Sequence, residues 1–238
     1  MRKHEMEIEI AAPASEVWRA VSTAEGIASW FCPISAVTPG AGGSVTIGWG
    51  EGMEATSRIE IWEPDKHLRV VSDRPEPAPP GVIDYLIEGR GGTTVMRLVH
   101  SGFGAGADFD SEYEGTGAGW PLFLAMMKHS TERGIDSCRN VTIMRMLSDT
   151  PAAAWEKLLA QAGDEIRGGE ERIRTKGGNR CLEFPGGAML GLFCDACGGA
   201  AIVTIMWLLY GVTAEEAERV RERWTAVLNR AFGQPATA

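Results

Sequence analysis

Between residues 34 and 102 the chain breaks into short stretches rich in β-branched and aromatic residues. "GGSVTIGW", "EATSRIEIWEP", "HLRVVSD", "GVIDYLIEG" and "TTVMRLVHSGF" read as strands. They are separated by tight turns at "EPDK" (63–66) and "GRGG" (89–92) and by a Pro-rich loop at "EPAPPG" (76–81). Strands joined by such short connections pair antiparallel, because a parallel pair needs a long crossover. A meander of this kind leaves one apolar face that something else in the chain must cover.

The cover is at hand in "GWPLFLAMMKHSTERG", residues 119–134. No charged side chain occurs from Gly115 to Met127. Trp120, Phe123, Leu124 and Met127 follow a helical spacing, while Leu122 and Met126 add a second apolar face. A surface helix normally shows one apolar stripe, so this helix is enclosed on more than one side. Pro121 is expected to start or kink it, and "GFGAGADFD" (102–110) reads as the connection into it. Ahead of the meander, "HEMEIEIAA" alternates Met6, Ile8 and Ile10 against three glutamates, a half-buried strand. "PASEVWRAVST" then puts Val17, Trp18 and Val21 on one helical stripe, and "AEGIASWFCP" reads as a short helix stopped before Pro33. Strand, two short helices, meander and long helix together make an α+β fold.

"IEIAAPASEVWRAVSTAEGIASWF" resembles the opening of the START-like, or SRPBCC, superfamily, and most closely its prokaryotic branch named after the activator of a heat-shock-protein ATPase. "GGTTVMRLVHSGFG" and "GTGAGWPLFLAMMKHS" look like that branch's last strand and closing helix, so the resemblance spans roughly residues 4–134. It implies a helix-grip fold: a curved antiparallel sheet wrapped around a long C-terminal helix, with an apolar cavity between them.

The second half reads as a shortened, degenerate copy of the same plan. "RMLSDTPAAAWEKLL" repeats the strand, Pro and Trp-bearing helix of "EIAAPASEVWRAV". "ERIRTKGG", "NRCLEFPGG", "AMLGLFCD" and "AAIVTIMWLLYG" are strand signals with Gly-rich turns. "TAEEAERVRERWTAVLNRAFG" is a helix with Thr213 and Glu216 spaced as a capping box, Glu215 and Arg219 spaced to pair, and an apolar stripe of Val220, Trp224, Val227, Leu228 and Ala231. The expected division is 1–134 and 140–238, joined through "GIDSCR"; one domain with an elaborated tail is the alternative. "AIVTIMWLLY" is apolar on both sides, so a cover is expected on both: the following helix on one, the first domain or a second copy of the chain on the other. A homodimer therefore stays open, and no roomy cavity is expected in the second half.

Several function classes drop out. With a net charge of −9 and no Lys/Arg block longer than two residues, a nucleic-acid surface is not expected. The N-terminus lacks an apolar signal core, and the longest apolar run is too short to span a bilayer, so the chain is expected to be cytoplasmic. Five cysteines, an odd number, argue for free thiols in that setting. "CDAC" puts Cys194 and Cys197 at metal or redox spacing, with Cys181 as the one plausible third ligand; the plainer reading is a hairpin turn. "GRGG", "GAGG" and "GTGAG" are Gly-rich but read as turns or as the approach to a helix; nothing suggests a cofactor.

The candidate pocket residues are Trp30, Phe31, Trp49, Met53, Trp62, Tyr85, Met96, Phe103, Trp120, Phe123, Leu124 and Met127, taken from inward strand positions and the closing helix. Bulky aromatics and methionines suit an adaptable apolar site for a small hydrophobic molecule. His100 shares a strand side with Met96 and Leu98, where it can bond a ligand carbonyl or act as a general base, and Tyr85 offers a hydroxyl at the same depth. Arg97 falls on the opposite side and is expected to face solvent or pair with an acid such as Glu60. Two other readings stand beside ligand binding. One is a protein-interaction module, which an exposed apolar patch around Trp207 or Trp120 would favour. The other is a cyclase- or hydrolase-like enzyme using His100 with Tyr85 or Asp84.

Overall fold

The computed structural model describes residues 2–50, 52–197 and 200–234. It divides into two compact units, Met1–Cys138 and Arg139–Ala238.

In the first unit β1 (Arg2–Ile10) leads into α1 (Ala14–Ser22) and α2 (Ala24–Ala28). Val17, Ala20 and Val21 form the buried stripe of α1. The Thr23 hydroxyl accepts a hydrogen bond from the Gly26 N–H and caps α2. Gly26 is fixed by crowding: a Cβ there would sit 2.0 Å from the Arg19 carbonyl oxygen, so the two helices meet only over a bare backbone. The meander follows as β2 (Ile34–Thr38), β3 (Ser44–Gly48), β4 (Glu54–Glu63), β5 (His67–Ser72), β6 (Gly81–Arg90) and β7 (Thr93–Phe103). These strands pair antiparallel in sequence order, and β1 closes the seven-stranded sheet on β7, giving the order β1-β7-β6-β5-β4-β3-β2.

Register sets what the inner face carries. His4 lies opposite His100, Met6 opposite Leu98 and Ile8 opposite Met96. Leu98 in turn opposes Tyr85, which opposes Leu68 on the next strand. Residues opposed across strands share a face, so these side chains form one inward surface. The long helix α3 (Asp110–Arg133) lies against it. It starts earlier than Pro121 suggests: Pro121 is interior, and "GTGAG" is part of the helix instead of a turn or the approach to it. The apolar contacts made further along α3 outweigh the low helix propensity of three glycines. Trp120, Leu124 and Met127 are buried, and Leu122 and Met126 are buried as well, so the helix is enclosed on more than one face.

The second unit repeats the plan with fewer strands. β8 (Cys138–Leu147) leads to α4 (Pro151–Ala162), then to β9 (Glu170–Arg174), β10 (Arg180–Glu183), β11 (Met189–Cys197) and β12 (Ala200–Tyr210), and α5 (Ala214–Phe232) ends it. The sheet order β8-β12-β11-β10-β9 again sets the first strand beside the last. Thr213 and Glu216 complete the capping box on α5, an arrangement whose Ncap is worth about 1 kcal/mol. Trp224, Val227 and Leu228 of α5 pack with Leu190, Leu192, Val203, Ile205 and Trp207 of the sheet and Ala154 and Leu158 of α4. Full burial of each such large side chain contributes roughly 1.5–3 kcal/mol. The opposite side of the same strands is buried too, at Phe193, Met206 and Leu208.

The hairpin expected at "CDAC" is present, with β11 and β12 antiparallel and Cys197 opposite Ala200, but these residues lie on the strand, where Cys194 opposes Val203. The buried Cys194 thiol donates to the Pro151 carbonyl, and burial pushes it up to about 11. The side chain of Cys197 lies outside the described residues. Among the described residues no cluster of three or more His, Cys, Asp or Glu side chains could hold a metal, and no helix is long and apolar enough to cross a membrane.

Candidate functional site

Aromatic rings gather on the inner face of the first unit. The α2–β2 connection supplies Trp30 and Phe31, the end of β3 supplies Trp49, β7 supplies His100 and Phe103, and α3 supplies Tyr113, Trp120 and Phe123. Phe31 stacks parallel to Trp120 with centroids 6.0 Å apart and meets Phe123 edge-on at 4.8 Å and Trp49 at 5.3 Å. Trp120 continues to His100 at 5.9 Å, His100 to Phe103 at 4.7 Å, and Phe103 to Tyr113 at 5.2 Å. Edge-to-face and offset contacts of this kind are the favourable aromatic geometries.

The array grades from buried to open. Trp30, Phe103 and Trp120 are buried, whereas Phe31, Trp49 and Phe123 are half-buried. Trp30 is fixed by its indole N–H, which donates to the Ala20 carbonyl at 2.9 Å. Below it, the Ser29 and Ser130 hydroxyls bond each other at 2.6 Å and tie the end of α2 to α3. Lys128 donates to the Glu9 carbonyl and pairs with Glu132, whose carboxylate also accepts the Ala11 N–H. These contacts hold α3 against β1 at its C-terminal half.

His100 is the polar member of the face. The Trp120 indole N–H donates to its Nδ1 at 3.0 Å. Burial, with help from nearby His4 and Arg74, holds the imidazole down at about 4, so it is neutral near pH 7. An indole nitrogen can only donate, so Nδ1 carries no proton and Nε2 does. Tyr85, on the neighbouring strand, is 8% exposed, and burial pushes its phenol well above the ordinary value.

Met96, Leu124 and Met127 are buried on the same strand and helix that carry His100, Trp120 and Phe123. Two other candidates stand apart. Met53 is 39% exposed in the β3–β4 turn, and Trp62 meets Trp18 of α1 edge-on at 5.0 Å, outside the chain of rings. Asp84 does not face His100. It lies on the outer face, where it accepts from His67 at 2.6 Å and from Arg69 at 2.7 Å. The reason is the strict alternation of β6, which turns Asp84 away when Tyr85 points in. Arg97 does face solvent, but its partner is Glu5 on the adjacent strand; Glu60 bonds Arg58.

Sequence reasoning passed over His4 and Tyr113. His4 stacks on Tyr113 at 4.0 Å and its Nε2 bonds the Tyr113 carbonyl at 2.8 Å. The signal was present: carrying the alternation of Met6, Ile8 and Ile10 back by two residues reaches His4. In the second unit an open groove of about 530 Å³ runs along β8 and the end of α5, lined by residues such as Ile143, Leu147 and Phe232. Its charged residues are already engaged: Arg145 is held by Asn229 and the Gly233 carbonyl, and Asp149 accepts from Lys157.

Residues 11–132, a little over half of the chain, match the family described as Activator of Hsp90 ATPase homolog 1-like protein. Among solved structures, a protein of Mesorhizobium loti is 24% identical, covering 56% of this chain and 98% of its own with a TM-score of 0.50. The Aha1 dimer of Colwellia psychrerythraea is 20% identical over 56% of this chain and 97% of its own, TM-score 0.49. The di-domain ARO/CYC BexL of the BE-7585A biosynthetic pathway is 17% identical over 100% of both chains, TM-score 0.49. At these identities the likeness concerns the fold alone. No curated protein matches the sequence.

Proposed function

The chain belongs to the Activator of Hsp90 ATPase homolog 1-like protein family, and from that premise we propose that its first unit binds a small apolar molecule between the sheet and α3. The observation that carries this reading is the graded array of rings. Phe31, Trp49 and Phe123 are neither sealed in the core nor dispersed on the surface, and they continue into buried Trp120. A ligand burying about 300 Å² of apolar surface there gains roughly 7 kcal/mol before the entropy and desolvation costs of association, which offset part of it.

The rival readings have less support. A protein-docking patch needs exposed apolar surface, but Trp120 is 4% and Trp207 7% exposed. A general base needs a free lone pair, and that of His100 Nδ1 is engaged by Trp120 while Nε2 carries the proton.

The test is fluorescence titration with N-phenyl-1-naphthylamine. Phe123→Trp enlarges a ring at the half-buried end of the array and is expected to weaken binding at least about fivefold with little change in Tm. Unchanged affinity in a folded variant would refute this placement of the site.

A further inference from the structure

Tyr85 and His100 carry unused hydrogen-bonding capacity on an otherwise apolar face. Tyr85 lies opposite Leu98, and His100 lies opposite Ile83. Opposed residues share a face, as do residues two apart along a strand. Tyr85 and His100 are therefore diagonal neighbours on the inner face, beside Met96 and Leu98. Because Trp120 donates to Nδ1, the His100 proton sits on Nε2. That Nε2–H has no acceptor among the described residues, and the hydroxyl of Tyr85 has no hydrogen-bond partner among them, although Tyr85 is over nine-tenths buried. Neither atom is fully enclosed, since neither falls among the buried side-chain polar atoms left without a partner, so both donors are open to solvent and to a ligand.

We infer that Tyr85 and His100 together receive the carbonyl oxygen of the ligand, and that the ligand is a neutral aryl ketone. This rests on the apolar-ligand reading above and adds what that reading leaves open. Two neutral donors on one face of adjacent strands suit the two lone pairs of one carbonyl oxygen. An anion is poorly matched. The nearby cation, Arg74, is already taken by Glu112 at 2.6 Å and by the Gly102 carbonyl. A carboxylate would lose its hydration against Phe103 and Trp120 without meeting a free positive charge. The aromatic body follows from the edges and faces that Phe31, Trp49 and Phe123 present.

The experiment compares 2-acetylnaphthalene with 2-ethylnaphthalene, which differ by the carbonyl oxygen and have nearly the same shape. Calorimetry on the full chain is expected to show the ketone binding about tenfold tighter. Tyr85→Phe should cut that preference about fivefold and leave the hydrocarbon affinity unchanged. With the ketone labelled at its carbonyl carbon, the infrared carbonyl band should move to lower frequency on binding to the wild type and return part-way in Tyr85→Phe. Equal affinities and an unshifted band in the wild type would overturn the inference while the apolar site survives. Failure of both probes to bind would overturn the site and the inference together.

Discussion

A histidine enclosed by Phe103 and Trp120 loses hydration without gaining a counter-charge, and His100 is therefore held neutral, down at about 4 from an ordinary 6.5. Its folded value is depressed, so between pH 6.5 and 4 the unfolded chain takes up a proton that the folded chain refuses. The stability tied to this residue is complete above 6.5 and is lost as pH falls toward about 4, roughly 3 kcal/mol across the window. Electrostatic interaction with His4 on β1 and with Arg74 deepens the effect. Thermal unfolding of the wild type and of His100→Gln, which keeps an acceptor for Trp120, measures it. The wild type should lose more Tm than the variant between pH 7.5 and 4.5; parallel profiles would mean that the imidazole is not shielded as described.

At the scale of elements, the N-terminal half of α3 is the weakest helix in the first unit, and its glycines are not equivalent. A Cβ on Gly115 meets nothing within 4 Å, whereas one on Gly117 would sit 2.6 Å from Cε1 of His4. The His4 ring cannot simply swing away, since it stacks on Tyr113 and bonds the Tyr113 carbonyl. Gly115→Ala should therefore stabilise by up to about 1 kcal/mol through helix propensity. Gly117→Ala should lose more than that gain, and paired urea titrations give the two signs. The same segment marks the limit of what the chain reveals before folding. The strands of the meander were legible because period-two patterning and turn residues agree there. The start of α3 was not, because glycines and Pro121 argue locally against helix and only contacts with β1 override them. Tyr85 and His100 were legible as inward residues, yet their exclusion of Asp84 and their link to Trp120 depend on register and on a partner twenty residues away.

For the molecule as a whole, one plan is used twice with different interiors. In the second unit Trp207 lies between Phe184 and Trp224, with centroids 4.9 and 6.5 Å away, and leucines and valines fill the space between sheet and α5. In the first unit the corresponding space ends in half-buried rings. A small apolar molecule should therefore register in the first unit alone. Methionines report on both: Met96 on β7 and Met127 on α3 are buried in the first unit, and Met189 and Met206 are buried in the second. The decisive measurement is the ¹³C-methyl methionine spectrum during titration with N-phenyl-1-naphthylamine. The account predicts progressive shifts of Met96 and Met127 with Met189 and Met206 unmoved; shifts confined to Met189 and Met206, or still signals at Met96 and Met127 while the probe binds, would contradict it.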